Sequence, residues 1–232
     1  MRVWDIHPGY LNRESLLGEH REVHAVFSII INHKSGYARH PETMRWRDSL
    51  GALVSRHDCL LEEMDFRGYR HLSPAPDIPG SPWPQVFIDP PAGQLSILEQ
   101  KYRMKNPGRI PLPQNSQQLW AHHKYSVMAR DPELYKSIGP EASRRKGRGY
   151  FEGLARTLVE TMRVNPSQGM LLNALQHMWG YVSSLGSETN PGPGDSVELI
   201  KEIQRRSLLY NVHYLLESTA LTDLAYWAHK QG

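Results

Sequence analysis

The feature that most constrains the fold is a series of segments in which apolar residues recur at helical spacing. The first segment covers residues 12–32, and Asn12 stands where a helix N-cap is expected. Its apolar stripe consists of Leu16, Val23, Phe27 and Ile30. The alternation typical of strands is nearly missing, since Val86-Phe87-Ile88 is too short to build a sheet. The sequence therefore predicts an all-α fold.

Proline and glycine clusters separate the remaining helical segments. Helices are predicted at 41–66, 114–130, 132–138, 150–163, 169–185, 196–217 and 219–230. Predicted breaks between them are Gly139-Pro140, Asn165-Pro166 and the run 190–194. Residues 73–93 contain seven prolines, which exclude a regular helix and predict a long loop. We expect a helical, bundle-like first domain at 1–112 and a second helical domain at 113–232.

The composition excludes several classes of protein. Cys59 is the only cysteine, so a disulfide framework, a thiolate zinc finger and a cysteine-ligated iron–sulfur cluster are excluded. The chain has 27 Lys and Arg against 24 Asp and Glu, so total charge alone does not indicate a nucleic-acid-binding protein. No apolar run approaches the roughly 18 residues of a membrane helix, and the first residues lack the apolar core of a signal peptide. We expect a cytoplasmic protein that does not bind membranes.

Short catalytic motifs give little guidance. The sequence has no GxSxG, P-loop or GxGxxG, so serine hydrolases, nucleoside triphosphatases and Rossmann enzymes lack support. His20 and His24 share one face of the first predicted helix, a spacing that zinc accepts. The order differs from HExxH, and we interpret both as structural or ligand-contacting residues, so no metal site is predicted. The basic run 144–148 is either a solvated loop or a phosphate-contacting segment.

Glu22 stands at the edge of the apolar stripe of the first helix. At about 100° per residue it lies off the centre of the stripe but beside Val26 and Ile29. From this position alone, Glu22 is interpreted as an ordinary helix glutamate at the boundary of the buried face.

Three segments together carry a resemblance to a known family. They are MRVWDIHPGYLNRESLLGEHREVHAVF at the start, KSGYARHP at 34–41 and EEMDFRGYRHLSP at 62–74. In this order they resemble the pyrimidine dimer DNA glycosylase family, over about residues 1–140. The diagnostic pattern is a terminal amine followed by a basic residue, with an Arg-Glu pair about twenty positions later. The matching positions here are Met1, Arg2, Arg21 and Glu22.

The resemblance implies a DNA repair enzyme that needs no metal or organic cofactor. The α-amine of Met1 would attack the sugar of a damaged pyrimidine nucleotide, and Glu22 would act as general acid and base. A terminal amine is partly neutral near neutral pH without the burial that a lysine requires. The implied contacts with DNA come from Arg2 and Arg21 at the flanking phosphates and from Arg39 and His40 in KSGYARHP. The expected partner is double-stranded DNA with damaged pyrimidines, bound by a monomer near the nucleoid.

The second half resembles a different family. The segments KYSVMARDPELYKSIG, GMLLNALQHMWGYVSS and ELIKEIQRRSLLYNVHYLLE are similar to a YbgA-type helical domain of unknown function, over about residues 124–226. That domain supplies no mechanism. Two alternatives to a glycosylase stay open: a non-catalytic module that binds damaged nucleic acid, and an enzyme that acts on another modified pyrimidine.

Overall fold

The structure is a computed structural model that describes residues 1–186 and 194–231. All regular structure within those ranges is helical, which confirms the predicted all-α class. A 3-10 turn at Pro8–Tyr10 precedes the α-helices. These are α1 (Arg13–Ile31), α2 (Pro41–Trp46), α3 (Leu50–Phe66), α4 (Pro91–Tyr102), α5 (Ser116–Met128), α6 (Pro132–Arg144), α7 (Arg148–Met162), α8 (Gln168–Trp179), α9 (Ser196–Leu209), α10 (His213–Leu216) and α11 (Ala220–Gln231). None of the described helices is both long and apolar enough to cross a membrane.

The chain divides into two compact units, Met1–Gly108 and Arg109–Gly232. In the amino-terminal unit, α1 packs against α2 and α3. Asn12 caps α1 as the sequence predicts, since its side-chain oxygen accepts a hydrogen bond from the Ser15 N–H at 2.9 Å. Leu16 and Val23 of the predicted stripe are completely buried, so the stripe forms part of the core of this unit.

The prediction of one helix over 41–66 is wrong, because the chain breaks between α2 and α3. The side chain of Ser81, thirty residues further on, accepts hydrogen bonds from the N–H groups of Gly51 and Ala52 at 2.9 and 3.2 Å. These N–H groups at the start of α3 would lack a partner if no cap were present. Gly51 also allows the loop to approach, since a Cβ there would lie 2.1 Å from the Pro79 carbonyl oxygen.

The proline-rich loop is shorter than predicted. Helix α4 begins at Pro91, inside the predicted loop 73–93. A proline is tolerated in the first helical turn because its missing N–H would have no helical partner there. Residues 73–90 are without helix, as expected from their prolines.

In the carboxy-terminal unit, α5 packs against α6, α7, α8 and α11. The Arg130 guanidinium, which follows α5, donates two hydrogen bonds of 2.8 Å to the Asp223 carboxylate on α11. Both side chains are at most 4% exposed. Because each charge is neutralised and hydrogen-bonded by the other, the pair connects the two helices without an unpaired buried charge.

Three predicted helix ends in this unit are wrong, and one of them is that of 169–185, because α8 ends at Trp179. Helix α6 continues through Gly139-Pro140, and the burial of Ile138 and Ala142 on either side outweighs the one hydrogen bond that Pro140 cannot donate. The segment 196–217 is interrupted between α9 and α10, where Asn211 adopts a left-handed φ of 51°. The predicted break at 190–194 lies outside the described residues except for Gly194.

Candidate active site at the amino terminus

The first residues are held by a set of backbone hydrogen bonds to buried side chains. Three consecutive N–H groups each donate to a side chain from a different helix. The pairs are Val3 to Glu42 on α2 (3.2 Å), Trp4 to Glu19 on α1 (2.9 Å) and Asp5 to Gln94 on α4 (2.8 Å). We call this set the amide clamp. It fixes the backbone directly after Met1 and Arg2 against the helices of the amino-terminal unit.

The Glu19 carboxylate in the clamp is itself held by an arginine. Arg56 on α3 donates to both carboxylate oxygens of Glu19 at 2.8 Å and to the Ile6 carbonyl oxygen at 2.9 Å. Both side chains are almost completely buried, with exposures of 0% for Glu19 and 6% for Arg56. Glu19 therefore has a structural role. These contacts hold residues 3–6, which we call the terminal segment, on α1 and α3.

The Glu42 carboxylate has a comparable set of partners. It accepts a hydrogen bond from the Trp46 indole N–H at 3.2 Å, and the Arg45 Nε lies 3.5 Å from the same oxygen. Arg45 also donates two hydrogen bonds, of 2.9 and 3.2 Å, to the Asp5 carboxylate. Burial raises the pKa of Glu42, while the Arg45 charge and the Val3 N–H oppose the rise. Helix α2 thus fixes the terminal segment through a glutamate and an arginine.

The residues predicted for catalysis lie at the boundary between the buried and the exposed surface. Met1 and Glu22 are both half-buried, and Glu22 lies beside the buried stripe of α1 as its sequence position predicts. Arg21 is exposed. Within the described part of the chain, neither Arg21 nor Glu22 makes a side-chain hydrogen bond or an ion pair. The Arg-Glu pair is therefore available for a ligand, whereas Glu19 and Glu42 are not.

Arg2 already has protein partners. Its guanidinium forms a 2.8 Å ion pair with Asp89 and lies 4.8 Å from the centroid of the Trp4 ring. The two side chains of the ion pair are 38% and 34% exposed. Pairs at such exposure contribute about 0–1 kcal/mol, so a phosphate can replace Asp89 at small cost.

The KSGYARHP segment forms an exposed turn between α1 and α2. Arg39 is exposed, but the His40 Nδ1 accepts a hydrogen bond from the Glu42 N–H at 3.2 Å and caps α2. In the unliganded chain His40 thus acts as a helix cap, and its contact with DNA stays a prediction. Tyr37 is 68% exposed and has a φ of 59°, a conformation that is strained for a bulky residue.

A cluster of four histidines lies elsewhere in the same unit. His20 and His24 on α1 meet His57 on α3 and His71 in the loop that follows α3. One ring nitrogen from each lies within 4.8 Å of the others, so these side chains form the candidate metal-binding group. The sequence indicated the His20 and His24 pair by its spacing. His57 and His71 were missed, because only the packing of α3 and of the loop brings them to α1.

Comparisons with known proteins give one family match for each part of the chain. Residues 1–77 match the pyrimidine dimer DNA glycosylase family, which points to a DNA glycosylase. Residues 124–205 match a family of proteins of unknown function (DUF1722). Both predicted resemblances are confirmed, over shorter ranges than the expected 1–140 and 124–226. No curated protein and no solved structure gives a significant match to the chain.

Proposed function

We propose that the chain is a DNA glycosylase with coupled abasic-site lyase activity on pyrimidine lesions, in which the α-amine of Met1 is the nucleophile and Glu22 the general acid and base. The observation that carries the proposal is the amide clamp at residues 3–5. Nucleophilic catalysis requires the attacking atom to be held in a defined place. The clamp restricts the backbone two positions from the amine and leaves Met1 itself half exposed.

The clamp also supports the pairing of Met1 with Glu22. Trp4 is bound to Glu19, and Glu22 lies one helical turn beyond Glu19, a rise of about 4.5 Å along the axis. Three extended residues cover up to about 10 Å, so the chain from Trp4 to Met1 can reach Glu22. Asn12 caps the start of α1, and Trp4 is bound to Glu19 further along the helix, so continuation of the segment in the same direction would bring Met1 toward Glu22.

The distribution of partners among the charged residues supports the same assignment. The buried carboxylates of Glu19, Glu42 and Glu63 are all bound by arginines, at 2.8, 3.5 and 2.6 Å. Glu22 has neither a hydrogen-bond partner nor an ion-pair partner in the part of the chain that the structure describes. A carboxylate that takes up and releases protons during a reaction must not be locked in a buried ion pair. Glu22 meets that condition.

The proposed reaction proceeds in balanced steps. The neutral amine of Met1 forms a bond to C1′ of the damaged nucleotide while the glycosidic bond breaks, and the base leaves with a proton supplied by Glu22. A proton passes from the attacking nitrogen to the ring oxygen O4′ as the sugar ring opens, which gives a cationic imine that the Glu22 carboxylate stabilises by its charge. The Glu22 carboxylate then takes the C2′ proton, and the electron pair of the broken C–H bond expels the 3′ phosphate and nicks the strand. Water hydrolyses the imine and frees the amine.

The exposed basic residues near the terminus supply the proposed DNA contacts. Arg21 and Arg39 are exposed, and Arg2 can exchange Asp89 for a phosphate. The enzyme must also reach a sugar inside the duplex, so the damaged nucleotide has to leave the stack. We assign the exposed ring of Tyr37 to stacking on an unstacked base, because a strained bulky residue in an exposed loop indicates a functional constraint.

Borohydride trapping tests the reaction. The untagged full chain is incubated with an oligonucleotide duplex that carries an abasic site, and the imine is reduced to a stable covalent adduct. We expect a trapped species with the wild type and its loss when the amine is blocked by an added amino-terminal tag. Glu22→Gln should lower the trapping rate by about a hundredfold, within the usual contribution of general acid–base catalysis. Glu14→Gln, on the exposed side of α1, is the matched control and should trap normally.

The choice of substrate separates the proposal from its alternatives. Nicking of ultraviolet-irradiated plasmid supports the pyrimidine dimer assignment. Activity only on abasic DNA and on DNA with other modified pyrimidines would move the substrate to those bases. If damaged duplex binds in a salt-dependent manner but is neither nicked nor trapped, the chain is a binding module and the proposal is wrong.

A further inference from the structure

The four histidines at 20, 24, 57 and 71 form a compact group with little internal hydrogen bonding. Ring centroids of neighbouring members lie 4.6–5.3 Å apart. The two histidines on α1 approach most closely, with 3.2 Å between the Nε2 atoms of His20 and His24. Four imidazoles from two helices and a loop therefore meet at one point in the amino-terminal unit.

The spacing of the nitrogens fits a metal ion. Zinc binds imidazole nitrogen at about 2.0–2.1 Å, so two ligands of a tetrahedral site have nitrogens about 3.3–3.4 Å apart. The His20 and His24 pair already has nearly this separation. The remaining nitrogens, within 4.8 Å of one another, need to move inward by about 1 Å or less to complete a four-nitrogen tetrahedron.

Two of the ring nitrogens lack any other partner. The Nε2 atoms of His57 and His71 are buried and have no hydrogen-bond partner. His57 is only 1% exposed, so water does not readily satisfy its nitrogen. A buried polar atom without a partner costs about 1–3 kcal/mol, and such an atom in a folded chain requires an explanation. A metal ion bound by the lone pairs provides one.

The second nitrogen of His57 is oriented by a carboxylate. The His57 Nδ1 lies 3.1 Å from an oxygen of Asp58. An Nδ1–H that donates to this carboxylate leaves the lone pair on Nε2, the atom without a partner. A carboxylate behind a histidine ligand is the usual way in which proteins fix the tautomer and raise the affinity for metal.

We propose that His20, His24, His57 and His71 bind one divalent transition-metal ion of the zinc type in a closed structural site. Imidazole suits zinc among the metals that proteins bind, and four protein ligands leave no open position for a substrate. The ion would tie the start of the proline-rich loop, through His71, to α1 and α3.

The metal site is separate from the proposed active site. His20 and His24 are each two residues from Glu22, which is about 160° around the helix. The histidines and Glu22 thus occupy opposite flanks of the buried stripe of α1. Loss of the metal and loss of lyase chemistry are distinguishable, because the first is measured by metal content and spectroscopy and the second by covalent trapping.

Cobalt titration tests the site in the full chain without a polyhistidine tag. The protein is treated with a chelator and titrated with Co²⁺, whose visible absorption distinguishes tetrahedral from octahedral coordination. We expect one Co²⁺ per chain with a tetrahedral spectrum, displacement by Zn²⁺, and a higher Tm for the zinc-loaded protein. His71→Ala should weaken Co²⁺ binding by about a hundredfold or more. Loss of a residue that only hydrogen-bonds to a metal ligand already weakens binding about 10–100-fold, and His71 is a ligand itself. The control His177→Ala, an exposed histidine on α8, should bind as the wild type does.

Two further variants separate ligation from a packing role. His71→Cys supplies another zinc ligand and should restore stoichiometric binding with a thiolate charge-transfer band. Asp58→Asn should weaken binding by about 10–100-fold while the tetrahedral spectrum is retained. The proposal is wrong if wild-type protein shows only an octahedral spectrum, or if His71→Ala binds Co²⁺ with wild-type affinity.

Discussion

The substitution Glu19→Gln gives the most direct test of how the terminal segment is held. Glutamine has the shape of glutamate but lacks the charge, and one oxygen becomes an N–H donor. The amide oxygen can keep the two bonds now made by Oε1, from Trp4 N–H and Arg56 Nε. The new NH₂ group then faces the Arg56 Nη2 at the 2.8 Å contact, where two donors oppose each other.

The size of the effect follows from burial. Glu19 and Arg56 are 0% and 6% exposed, and Arg56 stays charged because a guanidinium does not lose its proton in a protein. Removing one partner of a buried ion pair costs about 3–5 kcal/mol, and the shape-preserving change to glutamine lies at the lower end, about 3 kcal/mol. In a unit of this size that corresponds to a fall in Tm on the order of 10 °C.

Hydrogen exchange followed by mass spectrometry is the suitable assay. The chain has two compact units, so a single unfolding curve need not be two-state, whereas exchange reports the opening free energy of individual helices. We expect α1 and α3 to lose protection and α5 and α11 to keep it. The control Glu14→Gln removes a 2.6 Å but exposed ion pair with Lys105 in the same unit and should leave protection unchanged.

A double variant decides whether the unpaired charge is the cause. Glu19→Gln with Arg56→Met removes the orphaned charge and keeps an acceptor for the Trp4 N–H. The two changes together should be less destabilising than their sum by at least about 2 kcal/mol. The reasoning fails if Glu19→Gln changes protection by less than about 1 kcal/mol, or if the two changes are additive.

Three further predictions concern the loop, the DNA contact and pH. Gly51→Ala should detach the proline-rich loop and destabilise the amino-terminal unit by more than about 2 kcal/mol in thermal melts, because the new Cβ would lie 2.1 Å from the Pro79 carbonyl oxygen. The control Gly18→Ala places its Cβ in open space and should stabilise the unit slightly. Arg2→Ala should weaken DNA binding and lower the slope of log affinity against log salt by about one, with Tm unchanged; an unaltered slope would exclude a phosphate contact. Burial lowers the pKa of His123 to about 4, below its unfolded value near 6.5. The neutral histidine therefore contributes about 3 kcal/mol to the free energy of unfolding above pH 6.5, and this contribution is lost as the pH falls toward 4. His123→Gln should flatten that part of the pH profile, and an equally steep profile would refute the assignment.

Local signals were sufficient for much of the fold. Asn12 and the apolar stripe that follows it specify the start and the buried face of α1, because a cap and a 3.6-residue period are properties of one short segment. The same period placed Glu22 at the edge of the buried face. The break between α2 and α3 was not predictable, since the cap at Gly51 comes from Ser81 in a loop that has no period.

The candidate site shows the same limit. The Arg-Glu pair was identified by resemblance, but the residues of the amide clamp had no local signal. Glu42 and Gln94 look like ordinary helix residues until packing brings α2 and α4 to the terminal segment. The sequence did not predict that His57 and His71 join His20 and His24, for the same reason. Sequence patterns predict which face of a helix is buried, whereas partners from other helices depend on tertiary structure.

The amide clamp also sets an order of events during synthesis. Residues 3–5 are made early, but Gln94, which binds the Asp5 N–H, is added 89 residues later. The terminal segment cannot take its final position until all of the helices that hold it have been made. Residues 3–5 of a growing chain therefore stay without these partners, and only the completed amino-terminal unit holds them against α1, α2 and α4.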